Sequence, residues 1–264
     1  MVIGAHSPRL KAARRLGKRA FRDRERTFLA EGPQAVGEAA KYGATITDLF
    51  VTGPARARHA DIVADIAAKD IQVHLVNDAV MGELAQTVTP QGLLAVCRFI
   101  DVPLTQAITA RSRLVAVLAN VRDPGNAGTV LRTADAAGAD AVIFADASVD
   151  PYNGKCVRAS AGSLFHLPVV TGVKLHEVVR AARDNGLTVL AADGRTGRSL
   201  DQMDLARPAA WMFGNEAWGL PAELLGEADE AVAVPIYGKA ESLNLATAAA
   251  VCLYASARAH ATQR

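Results

Sequence analysis

The feature that most constrains this chain is an uninterrupted apolar run, Leu114–Ala119, with a turn and a helix behind it. Six apolar residues in a row read as a strand buried on both faces, as in parallel sheets. Pro124 and Gly125 break the run. Asn126 is a good helix N-cap, and the segment from there to Ala137 is rich in helix formers. Two arginines, Arg122 and Arg132, flank the turn. In α/β folds ligands tend to bind beyond the carboxyl ends of parallel strands. Arginine at that place points to an anionic substrate.

The rest of the chain supports two domains. Residues 113–264 alternate strands at 114–119, 141–144, 188–192 and 209–213 with helices at 126–137, 174–184 and about 242–259. That alternation predicts a parallel, doubly covered sheet. A loop at 146–154, dense in turn formers, leads into a segment carrying Lys155 and Arg158. Residues 1–100 form a smaller α/β domain. It has strands at 27–30, 46–52, 72–76 and 93–99, and helices at 8–24, 32–41, 57–69 and 78–86. Residues 101–112 lack clear periodicity and read as the linker.

Composition narrows the class. A chain of 264 residues is long enough for one large or two smaller domains. Half of it is hydrophobic and a fifth charged, as in ordinary globular proteins. The longest nearly uncharged run, residues 242–257, is too short to span a bilayer. No apolar segment follows the basic N-terminus, so no secretory signal is read, and the expected location is cytoplasmic. The three cysteines are widely spaced and form no metal pattern; buried reduced thiols are expected. The six histidines are scattered, with no pair at metal-ligand spacing, so no metal is expected.

Net charge is only +2, but its distribution is uneven. Residues 9–26 hold nine Lys or Arg against Asp23 and Glu25, a local +7 that leaves about −5 elsewhere. Such a block is a footprint for a polyanion, although a solvated helix face would look the same. Arg14, Arg15, Lys18, Arg19 and Arg22 are its candidate polyanion contacts, which the resemblance described below assigns to RNA. No Gly-x-Gly-x-x-Gly, P-loop or nucleophile elbow is present, which argues against nicotinamide, nucleotide-hydrolysing and α/β-hydrolase enzymes.

Three motifs together resemble one family. The stretch Asn120-Val-Arg-Asp-Pro-Gly-Asn-Ala-Gly-Thr-Val-Leu-Arg132 is similar to the first signature of the SpoU (TrmH-type) RNA ribose methyltransferases of the SPOUT superfamily. Phe213-Gly-Asn-Glu-Ala-Trp-Gly-Leu-Pro221 resembles the second. Val234-Pro-Ile-Tyr-Gly-Lys-Ala-Glu-Ser-Leu-Asn-Leu245 resembles the third. They stand in the family's order over roughly the last 150 residues. Arg26-Thr-Phe-Leu-Ala-Glu-Gly32 is similar to a stretch of the ribosomal-protein-like substrate-binding domain that precedes many of these enzymes.

The resemblance implies an activity and a site. The activity is methyl transfer from S-adenosyl-L-methionine (AdoMet) to a ribose 2′-hydroxyl of RNA. The two-domain arrangement favours 23S ribosomal RNA over tRNA; a noncatalytic RNA-binding protein of this fold is the other alternative. The implied catalytic residues are Arg132, Asn126, Glu216 and Asn244. The resemblance implies Arg132 as the general base; because a guanidinium stays protonated, the other reading is that Arg132 grips the phosphate beside the target ribose and stabilises the departing proton's path. Asn244 and Ser242 also suit simple capping of the last helix, and Glu216 a turn cap. The cofactor would be held by backbone at Gly214, Ile236 and Leu245, with Asn215, Gly219 and Ser242 beside it and Leu190, Ala191 and Ala192 lining the pocket. Gly214 is expected to let the chain pass close to AdoMet. Strand-end turns and core fit the same residue types. Arg122 and Arg158 join the implied RNA contacts.

Fold and assembly divide between the two lines of reasoning. Periodicity alone gives an open doubly wound sheet, because knots are very rare. The resemblance implies a deep trefoil knot, with the chain from about Gly214 threaded through an earlier loop. It also implies a homodimer. The alanine-rich terminal helix would then pack at the interface as well as in its own domain.

Overall fold

The computed structural model describes residues 7–195 and 198–262. The chain forms two units, Met1–Ile100 with Pro151–His166, and Asp101–Asp150 with Leu167–Arg264.

The first unit is built on a four-stranded sheet in the order β1-β4-β2-β3, from β1 (Thr27–Glu31), β2 (Ile46–Thr52), β3 (Gln72–Val76) and β4 (Leu93–Arg98). β4 is antiparallel to both neighbours, and β2 and β3 are parallel. Phe50, Leu94, Val96 and Leu29 pack against Leu10, Ala13 and Leu16 from the N-terminal segment and Val80, Met81 and Leu84 from the helix Asp78–Leu84. This buries the narrow apolar stripe that the sequence shows at 10, 13 and 16.

Two expected helices are each broken once. The helix expected over 8–24 is Pro8–Arg15 and Arg19–Glu25. The turn between them frees the carbonyls of Leu16 and Gly17, and the Arg22 Nη1 donates to both, at 2.8 and 3.1 Å. Arg22, expected among the RNA contacts, is therefore a buried brace, only 3% exposed. The helix expected over 57–69 is Gly53–Arg58 and Ala60–Ala67, separated at His59, whose φ of −122° and ψ of 46° are not helical.

The second unit is a six-stranded sheet, all parallel, in the order β10-β8-β9-β5-β6-β7. Its strands are β5 (Leu114–Ala119), β6 (Ala141–Ala145), β7 (Val169–Val173), β8 (Thr188–Ala192), β9 (Ala209–Phe213) and β10 (Glu230–Val232). Alternate residues serve opposite faces. On one, Val115, Val117, Ile143, Val189 and Met212 pack with Val178, Val179 and Ala182 of the helix Leu175–Asp184. On the other, the fully buried Trp211 donates its indole N–H to Ser256 Oγ of the terminal helix Leu245–Ala261, 2.9 Å away. That helix also packs along the helix Pro124–Ala136.

Several local expectations change here. Residues 101–112, expected as a linker, contain a short helix, Leu104–Ala107, and bury Ala107 and Ile108 in the second unit's core. The residues are apolar enough to pack but too few to show a period. β7 and β10 had no counterpart in the expected strands. β7 carries Gly172 at a φ of +71°, and β10 is three residues long, so neither shows an alternation. The helix after β5 starts two residues earlier than expected: Asp123 is its N-cap, its carboxylate accepting the Asn126 N–H at 2.8 Å, and Pro124 occupies the first turn.

All three cysteines are buried thiols. Burial pushes the Cys97 and Cys252 thiols up to about 12.

Candidate active site

The three motifs meet at the carboxyl ends of β5, β8 and β9. β5 is followed by Asn120, whose φ of +59° turns the chain sharply; asparagine tolerates this left-handed region better than most residues. Its carbonyl accepts the Asn215 Nδ2 at 3.1 Å. Asn215 is itself buried, and its Oδ1 accepts the Ala217 N–H at 2.8 Å. The backbones of Asn215 and Gly219 exchange two hydrogen bonds of 2.9 Å, closing a tight turn over residues 215–219.

That turn carries Glu216. Its carboxylate accepts the backbone N–H groups of Arg122 and Asp123, at 3.2 and 3.0 Å, and the Asn126 Nδ2 at 3.4 Å. The Asn126 Oδ1 accepts the Asn244 Nδ2 at 3.2 Å. Asn244 caps the terminal helix, its Oδ1 accepting from Ala246 at 2.8 Å and Thr247 at 3.4 Å. The direction of this line is set from both ends. An ionised Glu216 only accepts, so Asn126 must offer it the amide NH2. Asn244 spends its oxygen on the helix, so it must offer NH2 in turn. One residue from each motif thus forms a single polar line, Glu216–Asn126–Asn244.

Arg122 and Arg132 are exposed, and neither side chain makes an ion pair among the described residues. Arg132 stands two turns along the helix Pro124–Ala136. Two cations without an ion pair among the described residues, beside a fixed polar line, form an anion-gripping surface.

Next to this line is a cavity of about 420 Å³. Seven of the expected cofactor residues line it: Ala192, Gly214, Asn215, Gly219, Ile236, Ser242 and Leu245. Leu190 and Ala191 do not. They are buried within β8, as parallel pairing on both sides requires. The reason for Gly214 also differs from expectation. A Cβ there would lie 2.4–2.6 Å from the backbone of Gly219 and Leu220, so the glycine is required by the chain's own turn. Gly219 has a φ of +72°, a conformation that favours glycine.

Asp193 and Arg195 also line the cavity and were not singled out in the sequence. The Arg195 guanidinium donates to both carboxylate oxygens of Asp193, at 3.0 and 2.7 Å, and to the Leu220 carbonyl at 3.1 Å. It ties the end of β8 to the turn beyond β9. The hydrogen bond from Arg195 holds the Asp193 carboxyl below its ordinary value. An Asp-Gly-Arg directly after a strand was the available signal.

In the first unit, the remaining RNA candidates have varied surroundings. Arg14 pairs with Glu83, and Arg15 lies over the Phe21 ring at 4.1 Å. Arg19 faces Asp23 at 3.5 Å, and Lys18 is exposed. Arg158 donates to Glu31 at 3.1 Å, a carboxylate that also accepts the Gln86 N–H.

Known proteins match this arrangement along the whole chain. The profile of the SpoU rRNA Methylase family matches residues 113–254. The chain belongs to the SpoU rRNA methylase family. An MRM3-like substrate binding domain matches residues 7–95 of this SpoU chain. A Bacillus subtilis relative, the 23S rRNA (guanosine(2553)-2′-O)-methyltransferase RlmP, is 35% identical over 96% of this chain and 97% of its own. An AdoMet-bound rRNA methyltransferase from Sinorhizobium meliloti has the same SpoU fold, with a TM-score of 0.83, 32% identity and 97% of each chain covered. The SpoU methyltransferase AviRb of Streptomyces viridochromogenes, in complex with AdoMet, gives a TM-score of 0.85 at 26% identity, covering 97% of this chain and 100% of its own. Among the described residues no cluster of His, Cys, Asp and Glu could hold a metal ion, and no helix is long and apolar enough to cross a membrane.

Proposed function

We propose that this chain transfers the methyl group of AdoMet to a ribose 2′-hydroxyl of RNA, with 23S ribosomal RNA as the substrate. The observation that carries this reading is the line Glu216–Asn126–Asn244, which joins all three motifs beside a cavity and two arginines that make no ion pair among the described residues. The 23S rRNA relatives and the AdoMet-bound neighbours support the substrate and the cofactor.

The cavity suits AdoMet. Its volume lies within the range of small-ligand pockets, and its walls combine backbone of the 214–219 turn with apolar Val232, Val234, Ile236, Leu245 and Ala248. When bound there, AdoMet supplies an electrophilic sulfonium methyl. Ala192, Gly214, Asn215, Gly219, Ile236, Ser242 and Leu245 would hold it. Arg132 and Arg122 grip phosphate next to the target ribose. Arg132 keeps its own proton and would orient the hydroxyl oxygen, whose proton passes to water as the methyl group arrives. Asn126 fixes the approach of the ribose, and Glu216 and Asn244 keep Asn126 in place. Orientation of this kind can supply much of the barrier reduction in a displacement that needs only two aligned reactants.

The finer points belong to the same proposal. Residues 1–100 act as the RNA-binding domain and 113–264 as the methyltransferase domain. Arg14, Arg15, Lys18 and Arg19 contact RNA phosphates. The chain beyond Gly214 threads a trefoil knot, two copies form a homodimer along the terminal helix, and the protein works in the cytoplasm. Mapping ribose methylation in ribosomal RNA from cells with and without this protein tests the reading. One 23S position should lose its 2′-O-methyl group; unchanged 23S rRNA would refute the proposed substrate.

A further inference from the structure

The Trp218 side chain has no hydrogen-bond or ring partner among the described residues. The tight turn it belongs to is held by Asn215 to Asn120, Glu216 to the amides of Arg122 and Asp123, the paired bonds of Asn215 and Gly219, and Arg195 to Leu220. None of these uses the 218 side chain. Trp218 is nevertheless 56% exposed and lines the cavity, whereas Trp211, the chain's other tryptophan, is fully buried with its N–H bonded. An exposed indole forgoes the burial that stabilises most large apolar side chains. The locked backbone prevents the ring from retreating into the core.

Its neighbours indicate what the ring meets. Glu216, two residues before it, holds the amide of Arg122, and the Arg122 and Arg132 guanidiniums are exposed without ion pairs among the described residues. An aromatic ring on a hydrogen-bonded turn, in the same site as cations that make no ion pair among the described residues, is how proteins grip unpaired nucleotides, with cations on phosphates and the ring under a base. Interface cores between protein copies are instead depleted of charge.

We propose that Trp218 is a stacking platform for an RNA base at or next to the methylated nucleotide, and so helps to set which nucleotide enters. This rests on the RNA methylation reading above. The platform accepts any base by its π-face; selection comes from which base the arginines and the ribose site let reach it.

The test compares wild type, Trp218→Leu and Trp218→Phe on an in vitro transcript of 23S rRNA. Leucine keeps an apolar side chain without a π-face, and should raise KM for the transcript about tenfold, the scale of one missing stack. Phenylalanine should restore most of that loss. The dissociation constant for AdoMet should stay within about twofold in both. A second arm reads Trp218 emission as the difference between wild type and Trp218→Phe. The transcript should quench it, and inorganic polyphosphate, which has the charges but no bases, should not. An unchanged KM in Trp218→Leu overturns the proposal. So does a tenfold loss of AdoMet affinity with KM for RNA unmoved, which would place the ring over the cofactor. Dissociation of a dimer by Trp218→Leu in sedimentation would give the ring to a second copy and overturn it too. If wild type transfers no methyl group, the methylation reading fails by itself. The emission arm then still decides the platform, since quenching by polyphosphate equal to that by RNA rejects it.

Discussion

At the scale of single residues, the site depends on how polar atoms are partnered. Glu216 is a carboxylate that accepts three N–H groups of the first motif. Glu216→Gln keeps the size but presents an amide donor where an acceptor is needed. Turnover should then fall about tenfold or more, the effect of one mispaired polar group, while AdoMet affinity stays near wild type. Single-turnover kinetics and calorimetric titration separate the two, and equal turnover would show that the carboxylate merely caps a turn. The presence of Glu216, Asn126 and Asn244 could be read from the sequence, and so could their resemblance to a family site. Their connection could not, because residues ninety or more positions apart meet only when the strand ends are aligned. Asp193 and Arg195 were missed for a related reason: a short turn after a strand has no pattern beyond its turn residues. Arg22 was misjudged because charge in a sequence does not reveal burial, and a long arginine can brace freed carbonyls from inside.

At the scale of elements, the long runs were legible and the short ones were not. β5 is six apolar residues and was evident; β10 is three residues and β7 contains a glycine, so neither leaves a period. The tight turn 214–219 shows how a motif residue can serve the element itself. Gly214→Val would push a side chain into the backbone of Gly219 and Leu220. It should therefore lower the melting temperature as well as abolish AdoMet binding. A variant that keeps the wild-type melting temperature while losing AdoMet would mean that the glycine serves only the ligand. In the N-terminal helices, Arg14 and Arg15 already have partners within the unit, whereas Lys11 and Lys18 are exposed without ion pairs among the described residues. Reversing Lys11 and Lys18 to glutamate tests RNA binding without dismantling the unit. The slope of log affinity against log salt should drop by about 0.7 for each phosphate that is no longer neutralised, as read by filter binding over a salt series. An unchanged slope would leave these lysines as a solvated face.

At the scale of the molecule, the terminal helix offers different faces to its own fold and to solvent. Ala249 is fully buried, so a bulky residue there would damage the core before it touched any partner, whereas Val251 and Tyr254 are 39% and 44% exposed. A proposed dimer along this helix is tested by Val251→Arg with Tyr254→Arg. Sedimentation of wild type as a dimer and of the variant as a monomer is the expected result; a wild type that is monomeric at micromolar concentration would refute it. In the proposed reaction three distant motifs assemble one site that methylates an RNA ribose, with Arg132 as the group that holds phosphate and ribose together. The most direct measurement is single-turnover transfer of labelled methyl from AdoMet to a 23S rRNA transcript by wild type and Arg132→Lys. Lysine keeps the charge but loses the planar fork. Wild type should place the label on a ribose 2′-oxygen, and the lysine variant should transfer it at least about a hundredfold more slowly, the scale of one positioned proton-handling group. Label on a base, or a lysine variant within a few-fold of wild type, would contradict that claim.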